Sequence, residues 1–237
     1  MISPKMKGVS LVLKCIVLIA AAIGILLSAG AGSRSFMGGN RVFMYFTIQS
    51  NILIALICAV GAALLFSGQP IKSLWYTLKF VGTVSITLTG VVFCFVLAPT
   101  LGAYAWRIHN VLTHVVVPVA AIADFFVTGR YGSIRKSSVL FVTLPPLAYA
   151  LYAGIAYAAG WEFSGGVNYP YFFLNWGSPA GAFGFTDELP FMGCGWWILA
   201  ILVLLLAVGY GYLRILDGLK RKVSSPSETA AADVKAQ

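Results

Sequence analysis

The sequence predicts an all-α polytopic membrane protein: six transmembrane helices in one bundle, with both termini in the cytoplasm. Three observations predict it. Of the 237 residues, 59% are hydrophobic and only 10% charged, against about a quarter charged in an ordinary soluble domain. Apolar runs at about 9–29, 43–66, 76–97, 108–127, 138–159 and 194–215 reach the ~20 residues a helix needs to cross a ~30 Å hydrocarbon core. Their apolar residues run on without alternating, so the backbone must pair within helices and not around a barrel. Finally, thirteen of the sixteen basic residues fall on one side of the spans, leaving only Arg34, Arg41 and Arg107 on the other. Loops rich in Lys and Arg stay in the cytoplasm, which fixes the orientation.

The first span follows Lys5 and Lys7 and carries Lys14 near its start. Its basic opening, apolar run and small-residue end also have the form of a cleavable signal peptide, an alternative that leaves the other spans oriented alike. The second span enters from outside near Phe43 and carries "YFTIQSN" at 45–51. The third contains "TVSITLTG", whose hydroxyls pack readily against small neighbours. The fourth opens on "HNVLTHVVVPV" and ends near Asp124, which is expected to pair with Arg130 or Lys79 at the inner boundary. Short connections make successive helices antiparallel neighbours, so 1–222 reads as one transmembrane domain and 223–237 as a disordered cytoplasmic tail. The long connection at about 160–193, rich in Gly, Pro and aromatics, lies outside as a lid or interfacial segment.

The net charge of +9 is accounted for by topology, so no nucleic-acid partner is implied. Four cysteines lack metal spacing; Cys94 and Cys194 both fall near the outer boundary, where a disulfide between them is an option. Neither G-x-S-x-G nor H-E-x-x-H occurs, and no Gly-rich phosphate loop. Two histidines five residues apart diverge by about 140° on a helix, which disfavours haem. No metal or cofactor is expected, and acidic residues within the spans are too sparse for an ion-coupled transporter.

Polar residues inside spans are costly and invite a functional reading. At 1.5 Å per residue, Thr47 lies roughly 6 Å and His114 roughly 9 Å beneath the outer surface, on two parallel helices. Thr47, Ser50 and Asn51 share one face at i, i+3 and i+4, while Asn110, His114 and Pro118 share another. Taken singly, Thr47 could bond back to the Phe43 carbonyl, and Ser50 and Asn51 could serve as interhelical glue. A hydroxyl and an imidazole at one depth instead suit nucleophilic attack on an acyl carbon, with histidine as base. Ser50, Asn51 or Asn110 would then orient the histidine or steady the oxyanion.

These motifs resemble the androgen-induced-protein family, six-helix intramembrane threonine hydrolases that cleave fatty acid esters of hydroxy fatty acids. "YFTIQSN" matches the family's aromatic-rich start to the second helix, which implies Thr47 as nucleophile. "HVVVP" matches the stretch after its general-base histidine, which implies His114 and not His109. "YPYFFLN" matches a segment before the last helix, Tyr169 to Asn175, implying that Tyr169 and Asn175 lie over the site. The resemblance implies a bacterial branch, a plasma-membrane location and a lipid substrate. The alternative is a non-enzymatic membrane protein that binds or transports a lipid or small apolar ligand in the same cavity.

Overall fold

The computed structural model describes residues 2–31, 39–68 and 70–224. Most of the expected tail, 225–237, and Arg34 lie outside the described residues; Val223 and Ser224 still belong to the last helix. Among the described residues six helices are long and apolar enough to cross a membrane: α1 (Pro4–Ala31), α2 (Phe46–Ser67), α3 (Ser73–Trp106), α4 (Ile108–Gly129), α5 (Lys136–Ala158) and α6 (Cys194–Ser224). Among the described residues the only β-pairing is two isolated bridges in the connection before α6.

Helix boundaries and irregularities follow from local chemistry. α2 begins at Phe46, not at 43, because Tyr45 is extended (φ −88°, ψ 140°) and separates it from a 3₁₀ turn over Gly39–Met44. Thr47 therefore sits in the first turn, where backbone N–H groups lack helical acceptors. α3 continues past the expected 97 to Trp106 by switching to a π turn at Phe93–Leu97 and restarting at Ala98. Pro99 then falls in a first turn, where its missing N–H costs nothing. In α4 a π turn over Leu112–Val116 precedes Pro118, which cannot donate to the His114 carbonyl. The start of α5, Lys136–Thr143, is 3₁₀; Pro145 and Pro146 cannot donate to the carbonyls four residues earlier, and regular α-helix begins at Leu144.

α3 is the central helix, with 56% of its apolar window buried against 17% for α6. It packs on α2, α4 and α6, while α1 lies against α2 and α4. Val17, Ile54, Ile86 and Val117 join the first four helices, and Phe80, Phe125, Val142 and Leu205 join the last four. Lipid is as apolar as these side chains, so close packing and buried hydrogen bonds hold the bundle together.

The strongest such bonds converge on Asp124. Its carboxylate accepts from Lys14 Nζ at 2.6 Å, Lys79 Nζ at 2.6 Å and Ser10 Oγ at 2.5 Å, all buried. Lys79 also donates to Thr128 Oγ1 at 2.5 Å. Of the partners expected for Asp124, Lys79 is present and Arg130 is not; the Arg130 Nε–H instead donates to the Phe126 carbonyl. Lys14 is the unexpected partner: with the helix starting at Pro4, it lies about three turns inside α1 and not at its aqueous edge. This clasp makes α1 an integral part of the bundle. All four cysteines are free thiols, so the Cys94–Cys194 disulfide is absent; the Cys194 thiol is directed at the Gly181 carbonyl at 3.9 Å.

Candidate active site between the second and fourth spans

Thr47 Oγ1 stands 3.3 Å from His114 Nε2. The other imidazole nitrogen fixes the tautomer. His114 Nδ1 faces the Asn110 carbonyl at 2.9 Å and Thr113 Oγ1 at 3.0 Å. Thr113 has already given its hydrogen to the His109 carbonyl, so both neighbours of Nδ1 are acceptors and Nδ1 carries the proton. Nε2 is left with a lone pair aimed at the Thr47 hydroxyl, the arrangement of a nucleophile and its base.

Three features hold the imidazole there. Phe93 stacks on it with ring centroids 3.8 Å apart and planes 21° from parallel. The π turn that carries Phe93 presents this ring from α3, and the π turn of α4 carries the histidine. Gly90 permits the approach: a Cβ there would meet the His114 carbonyl at 2.9 Å and Pro118 at 3.3 Å.

The remaining expected residues divide by where they point. Asn51 is fully buried, and its amide donates to the Thr47 carbonyl at 2.8 Å and the Thr113 carbonyl at 3.1 Å, tying α2 to α4 beneath the dyad. Ser50 donates to the Thr47 carbonyl at 3.0 Å and meets Thr89 Oγ1 at 2.7 Å. Both side chains thus position Thr47, and their hydrogens are spoken for. Asn110 contributes its carbonyl and not its side chain, which turns away to bond the Tyr104 carbonyl. Asn175 does not reach the dyad: its Oδ1 caps a local turn through the Gly177 N–H, as Asn side chains do. Tyr169 is half-buried and not part of the cavity wall. The expected segment does supply a site residue, but it is Tyr171.

Tyr171 Oη accepts the Thr47 backbone N–H at 3.3 Å and lies 3.4 Å from Thr47 Oγ1. Its ring is stacked on Phe173, with centroids 5.0 Å apart, and edge-on to Tyr45. Burial pushes its phenol above the ordinary range, with the hydrogen bonds from Thr47 pulling partly the other way, so the phenol keeps its proton at neutral pH. Tyr171 is extended (φ −143°, ψ 148°) just before a 3₁₀ turn over Phe172–Leu174, which brings Phe173 back onto its ring. The sequence offers no sign that Tyr171, and not Tyr169, is the one turned inward.

Thr47 and Tyr171 line an apolar cavity of about 50 Å³. Helices α3, α5 and α6 supply most of the remaining wall through residues such as Leu88, Phe93, Pro146 and Ile198, and Phe46, Phe173 and Leu174 complete it. His114 lies behind Thr47, outside the lining. Among the described residues no three His, Cys, Asp or Glu side chains converge as a metal site would require.

Fold and site together define a six-span membrane protein with a buried hydroxyl–imidazole pair at the edge of an apolar cavity. No protein-family model, curated protein or solved structure matches the chain.

Proposed function

We propose that this chain is an intramembrane hydrolase of lipid esters, with Thr47 as nucleophile and His114 as general base. The observation that carries this reading is the 3.3 Å contact between Thr47 Oγ1 and the unprotonated Nε2, with Thr47 among the residues that line the cavity. His114 takes the Thr47 proton as Oγ1 attacks the acyl carbon. The ester C–O bond then breaks, and the proton passes from the imidazole to the departing alcohol oxygen. Water, activated by the same nitrogen, releases the fatty acid and restores the threonine. Threonine is hindered by its β-methyl group, which suits slow turnover.

The apolar wall takes the acyl chain. Fatty acid esters of hydroxy fatty acids are the substrates that the likeness to androgen-induced proteins suggests, and a bacterial plasma membrane the location. The basic-residue bias puts the dyad near the outer leaflet, from which a lipid enters sideways. The test is labelling by a fluorophosphonate probe in detergent micelles: wild type labels, and Thr47→Ala and His114→Ala do not. Equal labelling of all three proteins would remove the assignment. The cavity's apolar lining equally suits a non-enzymatic lipid carrier, which would bind lipid with no covalent label on Thr47.

A further inference from the structure

Four of the residues that line the cavity carry hydroxyls: Thr47, Thr89, Tyr149 and Tyr171. Three have committed their hydrogens. Thr47 directs its own at His114 Nε2. Ser50 gives its hydrogen to the Thr47 carbonyl, so the 2.7 Å contact between Ser50 and Thr89 is made with the Thr89 hydrogen. Tyr149 donates to the Met44 carbonyl at 3.1 Å. Tyr171 differs. Its oxygen accepts the Thr47 N–H, while its hydrogen meets Thr47 Oγ1 only at 3.4 Å, a long contact for two hydroxyls, with the Tyr149 phenol also beside it. The side-chain amide of Asn51 is spent on two carbonyls, so it has no donor to offer a substrate.

We infer that Tyr171 is a catalytic residue: its hydroxyl hydrogen, held by a long contact, turns to the carbonyl oxygen of the ester and steadies the oxyanion formed when Thr47 attacks. The inference rests on the hydrolase reading and adds to it the electrophilic half of the site. A carbonyl whose carbon meets Thr47 Oγ1 carries its oxygen into the space that Tyr171 Oη borders. The N–H bond received from Thr47 polarises that phenol and aims it, and the stacked Phe173 and edge-on Tyr45 rings stop it from swinging away. Charge developing on the carbonyl oxygen strengthens the bond in the transition state more than in the ground state, which is how a donor raises kcat.

The experiment is steady-state hydrolysis of a p-nitrophenyl fatty ester by the full-length protein in detergent, with Thr47→Ala, Tyr171→Phe and Tyr212→Phe compared. Tyr212→Phe removes a half-buried hydroxyl bonded to Thr87, both residues outside the cavity lining, and controls for stability. Tyr171→Phe is expected to lower kcat by about 10²–10³-fold, the usual effect of removing one oxyanion donor, with KM and thermal midpoint little changed and Tyr212→Phe at wild-type activity. Wild-type kcat in Tyr171→Phe, with Thr47→Ala inactive, would overturn the role of Tyr171 and leave the hydrolase reading standing. Full activity in Thr47→Ala would overturn both. Should Tyr171→Phe fail to fold, 3,5-difluorotyrosine at position 171 keeps the ring and strengthens the donor. The infrared carbonyl stretch of a bound fatty methyl ketone should then move to lower frequency than in the unmodified protein; no response to fluorination would overturn the inference.

Discussion

Phe93 lies almost flat on His114, ring centroids 3.8 Å apart, although the two residues belong to different helices. A neutral imidazole held face-on to an apolar ring has its two nitrogens at the rim, one turned to the Asn110 carbonyl and the other to Thr47. The stack therefore sets the plane in which the imidazole meets the Thr47 hydroxyl.

Phe93→Leu tests that role. Leucine fills much of the volume but loses a stacking interaction of about 0.5–1.5 kcal/mol. Expected is a several-fold fall in kcat with the fold intact, measured on a p-nitrophenyl fatty ester beside a thermal unfolding curve. An unchanged kcat would show that hydrogen bonds alone hold the imidazole.

Gly90→Ala probes the approach of α3 to α4. The added methyl meets backbone, the His114 carbonyl at 2.9 Å, as well as Pro118 at 3.3 Å, so neither neighbour can swing aside. The helices must separate, at a cost of about 1–3 kcal/mol. A lower unfolding midpoint together with weaker fluorophosphonate labelling is expected.

Asp124 and its two lysines are expected to respond unequally to mutation. Asp124→Ala leaves the Lys14 and Lys79 ammonium groups facing each other without a carboxylate, and breaking such a buried pair costs about 3–5 kcal/mol. Lys14→Met leaves one lysine on one aspartate and removes the surplus charge, so its loss should be far smaller. Denaturation in mixed micelles measures both. Equal losses would show that Lys14 is as necessary to the clasp as Asp124.

Asn51→Ala removes the amide that bridges the Thr47 and Thr113 carbonyls. Buried groups left without a partner cost about 1–3 kcal/mol, and Thr47 loses its tie to α4. Both the unfolding midpoint and the rate of labelling should fall, while an apolar fluorescent lipid still binds the cavity.

Much of this was legible in the sequence, for physical reasons that also explain what was not. The six spans follow from apolar runs long enough to cross a bilayer. That Thr47 and His114 share a depth follows from helical rise and the basic-residue bias. That their side chains meet does not, since His114 lies in a π turn, which displaces the face that a regular 3.6-residue period would present. Lys14 reads as a headgroup lysine because its partner, Asp124, lies 110 residues away. Tyr171 and Tyr169 are equivalent in the sequence, and only the folded path of the connection decides which one turns inward.

The most direct measurement is peptide mapping by mass spectrometry after brief exposure of the solubilised protein to a p-nitrophenyl long-chain fatty ester and an acid quench. The expected result is a fatty-acyl mass on the peptide containing Thr47, missing in Thr47→Ala and much reduced in His114→Ala. Ester turnover with no acyl group on Thr47, or turnover that persists in Thr47→Ala, would contradict the account.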